Sequence, residues 1–186
     1  MAEPSKIFVI GMFKTGLPTL HVALWKMGLK VFMNNPCYFS EWWLKDIEAS
    51  VEKNPDATKF YPDIIEGMKG FDVGIYHPFM YIYPWLDVTF PGSKFLLTQR
   101  DVTGVIKTTS DQSQNFKDIT ISETKVSDRY LSHQASVMAY FKDNPNLLAM
   151  NFDTGDGWNK LCSFLGTDIP QENFPASDTG DFKITP

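Results

Sequence analysis

Short, largely apolar runs alternate with segments of helical periodicity along most of the chain. The runs are bounded by turn residues and predict five short buried strands, at 7–10, 30–33, 71–76, 94–98 and 147–152. Because strands alternate with helices, the pattern predicts an α/β fold with three layers, in which a mostly parallel central sheet is flanked by helices. The length suits one domain that covers residues 1–186.

Apolar residues that recur at helical spacing predict the helices. We place these helices at about 18–28, 40–53, 61–68, 128–142 and 158–165. The aromatic-rich stretch 79–86 is either a helix or an irregular segment, and the polar stretch 108–128 is predicted to be a loop beside a ligand site.

The helix predicted from residue 128 carries one apolar stripe. Its members are Leu131, Ala135 and Met138, with Val137 and Phe141 beside them. His133 falls between these apolar positions, and we interpret it as a surface or helix-packing residue rather than a catalytic one.

Composition narrows the class of partner. The formal net charge of -5 argues against a nucleic acid or an anionic membrane as the main partner. Two cysteines are too few to suggest a disulfide framework or a metal site, so we expect reduced thiols and a cytoplasmic location. No apolar run approaches the roughly 20 residues that span a bilayer.

The stretch 11–16 is bounded by glycines and lies between the first strand and the first helix. A strand, a tight glycine loop and a helix form an anion-binding construction, because loop amides and the positive helix end converge on one point. Lys14 would supply the cation. The nucleotide-hydrolase loop G-x-x-x-x-G-K-[ST] needs Lys and Ser/Thr where Leu17 and Pro18 stand, which disfavours a magnesium-dependent triphosphate hydrolase or kinase.

This loop resembles that of a known family. G-M-F-K-T-G-L-P-T-L is similar to the P-x-K-[ST]-G-T-T-[SW]-L loop of sulfotransferases that use 3′-phosphoadenosine 5′-phosphosulfate. In that family the loop grips the 5′-phosphosulfate and its lysine assists the transfer. The resemblance implies that four residues bind this co-substrate: Lys14, Thr15, Gly16 and Thr19. Leu17 and Pro18 depart from the pattern, and Pro18 also removes an amide donor.

A second segment carries the resemblance further. F-P-G-S-K-F-L-L-T-Q-R-D resembles the strand and R-D-P sequence after which the family binds the nucleotide 3′-phosphate. Arg100 matches the family's arginine, and Thr108 stands eight positions later, where the family has a serine; Ser110 is the alternative. A structural salt bridge is the other interpretation of Arg100. Asp101 reads as a helix N-cap.

His77 follows the predicted strand 71–76, and the carboxyl ends of parallel strands are where ligands bind in open α/β sheets. The resemblance implies that His77 is the general base that takes the acceptor's proton. A histidine simply hydrogen-bonded at a proline turn is the alternative. Ile75 replaces the lysine that the cytosolic members carry two positions before the histidine.

Two hypotheses for function follow, from different classes. The first is transfer of a sulfuryl group from 3′-phosphoadenosine 5′-phosphosulfate to a hydroxyl or amine of a small-molecule acceptor, without a metal. The second is a catalytically impaired nucleotide-binding or interaction module on the same fold. Its grounds are Leu17 and Pro18, Ile75, and the absence of a basic R-K-G segment near the end of the chain. The sequence leaves the acceptor and the oligomeric state open. Aromatic residues at 38–43 and 79–85 suit an acceptor wall and core packing equally.

Overall fold

A five-stranded parallel sheet forms the centre of the molecule. The structure, a computed structural model, describes residues 5–33, 61–114 and 122–176. The strands are β1 (Ile7–Val9), β2 (Val31–Met33), β3 (Val73–Ile75), β4 (Lys94–Gln99) and β5 (Leu147–Asn151). They lie in the order β2-β3-β1-β4-β5, and every neighbouring pair is parallel. The predicted α/β fold with a parallel sheet is confirmed.

Helices cover both faces of this sheet. They are α1 (Leu17–Lys26), α2 (Tyr61–Gly67), α3 (Tyr83–Thr89), α4 (Val102–Ser113), α5 (Glu123–Tyr140) and α6 (Trp158–Leu165). A short 3₁₀ turn, Phe152–Thr154, follows β5. The helix predicted at 40–53, with its aromatic residues, lies outside the described residues.

Strand alternation produces two hydrophobic cores, one on each face. Successive side chains of a strand point to opposite faces, so Phe95 and Leu96 of β4 belong to different clusters. Leu96 packs in the cluster that takes residues from α1, α4 and α6. Phe95 packs in the cluster that takes residues from α2, α3 and the end of α5. The two cores and the sheet give the three predicted layers.

The prediction of a loop over 108–128 was wrong at both ends, and residues 115–121 lie outside the described ranges. Within the described residues, α4 continues to Ser113 and α5 already begins at Glu123. The cause is a buried helix face made of small polar residues. Thr109 and Ser113 are buried, and their hydroxyls donate to the carbonyls of Val105 and Ser110 at 2.7 Å. Hydroxyls satisfied within their own helix can face a core, although their composition suggests a loop.

The apolar stripe assigned to α5 was also misplaced. Leu131 and Met138 are 50% and 47% exposed. Val137 and Phe141, which were predicted beside the stripe, are buried, and the other buried positions are Val126, Tyr130 and Gln134. Tyr130 and Gln134 are polar, and they face inward because they hydrogen-bond the end of β4. A pattern of hydrophobic positions therefore does not predict that such polar residues belong to a buried face.

Candidate functional site

The loop at residues 11–16 lies across the carboxyl ends of the central strands. Strand β1 pairs in parallel with both β3 and β4, so the loop that follows β1 lies at the edge of the sheet where those strands also end. Gly11 packs directly on β4, since a Cβ atom there would lie 1.8 Å from Thr98 Oγ1. A glycine is required at this position for the loop to approach the strand.

The loop combines left-handed backbone with the N-terminus of a helix. Lys14 has φ 66° and Gly16 has φ 93°, both left-handed, while Thr15 between them has a negative φ. Backbone that alternates in this way turns successive amides toward one side and forms a concavity for anions. The loop leads directly into the N-terminus of α1, where amide groups and the helix dipole also favour negative charge.

Thr15 stabilises the loop from within. Its hydroxyl donates to the carbonyl of Met12, so the hydroxyl of Thr98 must be the donor in the 2.5 Å bond between the two threonines. Thr15 is buried, and its side chain is therefore used inside the loop. The Thr15 hydroxyl already donates its proton to Met12, so a phosphate could receive a hydrogen bond from Thr15 only through the backbone amide.

Lys14 places a partly desolvated cation at this turn. Burial lowers the pKa of its ammonium group from the usual value. A positive charge that has lost part of its hydration gains more from a nearby anion than one in bulk water. The Lys14 carbonyl accepts a hydrogen bond from Arg100 Nη1 at 3.3 Å, which joins the loop to the predicted arginine.

Arg100 is held firmly at the carboxyl end of β4. Its backbone N–H donates to the Tyr130 hydroxyl at 2.9 Å, and that hydroxyl donates to the Arg100 carbonyl at 2.7 Å. Burial raises the pKa of the Tyr130 phenol, so this proton stays in place. Gly104 gives the guanidinium room, because a Cβ there would lie 3.0 Å from Arg100 Nε.

Thr108 lies beside Arg100, as the spacing of eight residues implied. Arg100 Nη1 donates to Thr108 Oγ1 at 3.2 Å, and the Thr108 hydroxyl donates to the Gly104 carbonyl at 2.8 Å. Asp101 caps α4 through the Thr103 amide, as predicted. The structure thus assembles the arginine, the threonine and the loop at one place, while their binding of a phosphate stays a prediction.

Thr19 presents a buried and unpaired hydroxyl in the first turn of α1. The residue is 3% exposed, and its Oγ1 has no hydrogen-bond partner among the described residues. An unsatisfied buried hydroxyl costs about 1–3 kcal/mol. A ligand oxygen that reached this group would relieve that cost.

His77 lies at the predicted edge, within a cluster of rings. Its imidazole meets Tyr81 edge to face, with ring centres 5.9 Å apart, and Tyr81 meets His133 at 6.4 Å. Arg129 Nη2 donates to the Tyr81 hydroxyl at 2.8 Å. His133 Nε2 lies 2.8 Å from the carbonyl of Ile10, and burial lowers the His133 pKa. His133 therefore packs α5 on the start of the loop as a neutral ring, which agrees with its predicted packing role.

Three residues near the loop escaped the sequence analysis. The Asp153 carboxylate accepts from Arg100 Nε at 3.1 Å, and the ring of Phe152 fills the space that a Cβ of Gly16 would need. Phe174 packs on Phe152, with ring centres 5.5 Å apart. Phe152 and Asp153 come directly after β5. Ligands bind at the carboxyl ends of parallel strands, so the position of these two residues after β5 was a signal for them, as it was for His77 after β3.

Comparison with known proteins identifies the family. The family model described as "Sulfotransferase domain" matches residues 6–120 and 105–182, and the chain belongs to this family. No curated protein matches the sequence significantly.

Two solved structures share the fold. The sulfotransferase from Alicyclobacillus acidocaldarius is 16% identical and gives a TM-score of 0.55, with 96% of this chain and 86% of that one covered. The sulfotransferase domain from the curacin biosynthetic pathway is 12% identical and gives a TM-score of 0.57, with 92% of this chain and 77% of that one covered. At these identities the likeness concerns the fold.

No helix at 5–33, 61–114 or 122–176 is long and apolar enough to cross a membrane. The same ranges contain no group of three or more His, Cys, Asp or Glu side chains arranged to hold a metal ion.

Replacing Tyr130 tests whether its hydroxyl holds Arg100 in place. In Tyr130→Phe, both groups of the Arg100 backbone lose their partner, so we expect the free energy of unfolding to fall by about 1–3 kcal/mol. Tyr140→Phe is the matched control, because that hydroxyl is on an exposed residue and, within the described ranges, bonds only Asp87; its cost should stay below about 0.5 kcal/mol. Urea unfolding gives both values, and equal losses would contradict the assignment.

Proposed function

We propose that this protein transfers a sulfuryl group from 3′-phosphoadenosine 5′-phosphosulfate to a hydroxyl or amine of a small-molecule acceptor. The observation that carries the proposal is the bond from Arg100 Nη1 to the Lys14 carbonyl. It joins the loop that carries Lys14 to Arg100, so that two cationic residues belong to segments in direct contact. A donor with a phosphosulfate at one end and a 3′-phosphate at the other needs this arrangement. Membership of the sulfotransferase domain family supports the same chemistry.

The residues present suit the donor at three points. Lys14 and the amides of the turn would hold the phosphosulfate end. The unpaired hydroxyl of Thr19, at the start of α1, offers a further donor to that end. Arg100 would hold the 3′-phosphate, with Thr108 keeping the guanidinium in place. When bound, the donor supplies an activated sulfuryl group on a phosphate leaving group.

The mechanism proposed for the chain's own residues is an in-line displacement. His77 takes the proton of the acceptor as the acceptor's oxygen or nitrogen bonds to sulfur. The bond between sulfur and the bridging oxygen breaks, and the electron pair stays on that oxygen. Lys14 neutralises the charge that develops there, which is an electrostatic role. Arg100 fixes the donor's orientation.

A second candidate is favoured by Leu17 and Pro18. Leu17 is 1% exposed and packs in the core cluster of α1, α4 and α6, so it contributes no polar group to the turn. Pro18 has no amide hydrogen to donate. A site weakened in this way fits a nucleotide-binding or interaction module with impaired catalysis. Formation of a sulfated product distinguishes the two candidates.

Binding of adenosine 3′,5′-bisphosphate tests the site itself. Lys14→Ala and Arg100→Ala each remove a charged contact, so calorimetric titration should show affinity reduced at least about ten-fold in each. Lys69→Ala is the control, because it removes one positive charge from an exposed surface pair with Glu66, and its affinity should match that of the wild type. No binding by the wild type at millimolar ligand would remove the nucleotide hypothesis.

Thr19 permits a test that separates binding from stability. Thr19→Val removes the unpaired hydroxyl and keeps the shape of the side chain, so the protein without ligand should be as stable as the wild type or more stable. Affinity for the bisphosphate should nevertheless fall, by about three- to ten-fold. Thermal unfolding with and without ligand measures both effects. A loss of stability in the free protein would show that the hydroxyl has a structural partner instead.

The role of His77 is tested by turnover. Transfer of sulfate from the donor to a panel of phenols, alcohols and amines should give product with the wild type. His77→Gln should lower kcat by about 10²- to 10⁴-fold, because general-base catalysis contributes by that factor. Its affinity for the bisphosphate should stay close to that of the wild type. If the wild type binds the nucleotide but forms no product with any acceptor, the binding-module candidate is correct.

A further inference from the structure

The Asp153 carboxylate accepts a hydrogen bond from the guanidinium of Arg100, the group that we assign to the 3′-phosphate. We propose that Asp153 is a specificity-determining residue, a built-in carboxylate that competes with the 3′-phosphate for Arg100. It thereby sets how strongly the site prefers a ligand with that phosphate over one without it. The inference rests on the proposed function, since it assumes a nucleotide at the loop.

The donors of Arg100 show why this carboxylate matters. A guanidinium has five N–H groups. Nε donates to Asp153, and Nη1 donates to the Lys14 carbonyl and Thr108 Oγ1. Only Nη2 lacks a partner among the described residues. Both hydrogens of Nη1 are used. A phosphate that makes two parallel bonds to the guanidinium must therefore accept from Nη2 and Nε. Asp153 already accepts the hydrogen bond from Nε.

Local structure keeps Asp153 in this place. The residue lies in the 3₁₀ turn after β5, where its amide donates to Asn151 Oδ1 at 3.0 Å. The hydroxyl of Thr154 donates to the Asn151 carbonyl, also at 3.0 Å. Gly155, with φ 91°, ends the turn in the left-handed conformation. These contacts fix the backbone of the turn beside Arg100.

The strength of the contact suits a competitor rather than a permanent block. The Arg100 and Asp153 side chains are 33% and 54% exposed, and water screens a pair of this kind. A phosphate dianion carries more charge than a carboxylate and makes two parallel bonds to a guanidinium fork, so it can displace Asp153. The displaced carboxylate still repels the phosphate, which reduces the affinity.

The test compares two ligands that differ by one phosphate. Affinities for adenosine 3′,5′-bisphosphate and adenosine 5′-monophosphate are measured by calorimetry for the wild type and Asp153→Asn. The amide oxygen of asparagine can still accept from Nε, so Arg100 keeps its place while the negative charge is lost. We expect Asp153→Asn to bind the bisphosphate about five- to ten-fold more tightly than the wild type does. Its affinity for the monophosphate should change less than two-fold.

Controls isolate the pair. Glu66→Gln also removes one negative charge, but from an exposed pair on α2, and should change neither affinity. In an Arg100→Ala background, Asp153→Asn should lose most of its effect, since the competition needs both side chains. Thermal unfolding of each variant checks the fold, and Asp153→Ser serves as the second variant if the asparagine protein does not fold.

Each contrary result has a distinct meaning. If Asp153→Asn binds the bisphosphate no more tightly, or more weakly, Asp153 is a positioning residue and the inference is overturned, while the proposed function stands. If both ligands gain equally, the effect is one of general charge, and the inference again fails. If the wild type and every variant bind neither ligand at millimolar concentration, the proposed function and the inference both fail.

Discussion

The contact between the early loop and the end of β4 is the interaction on which the candidate site depends. Gly11 lies against Thr98 where no side chain would fit, and Thr15 and Thr98 are joined by their hydroxyls. Two residues further along, Arg100 reaches back to the Lys14 carbonyl. Because β1 and β4 are adjacent and parallel, the loop after one and the arginine after the other must meet at the same edge. The site is therefore a consequence of strand order.

This dependence explains how much of the molecule could be predicted from the sequence. Apolar runs between turn residues located all five strands, since a buried parallel strand leaves a strong local signal. Arg100 and Thr108 could be associated because β4 leads directly into a helix and the family spacing fits. Local signals also gave the cap at Asp101 and the end of α6 at Gly166. These features depend on residues close to each other in the chain.

The features that were not predicted depend on contacts between distant segments. Tyr130 belongs to the buried face of α5 only because its hydroxyl finds the Arg100 backbone, 30 residues away. Gln134 is buried for the same kind of reason, through the Thr98 carbonyl. Asp153 can be associated with Arg100 only when β5 is known to lie beside β4. A pattern of hydrophobic residues contains no information about which polar group will find a partner across the sheet.

The charge of the site follows from these long-range contacts. The chain has a net charge of -5, yet this edge of the sheet carries both Lys14 and Arg100, and the Arg100 guanidinium donates to the backbone carbonyl of Lys14. Asp153 supplies the anion that pairs with the Arg100 guanidinium in this structure. If Arg100 holds the 3′-phosphate as we propose, the same carboxylate opposes that phosphate. Under this proposal a single residue stabilises Arg100 in the free protein and lowers the affinity for the bisphosphate.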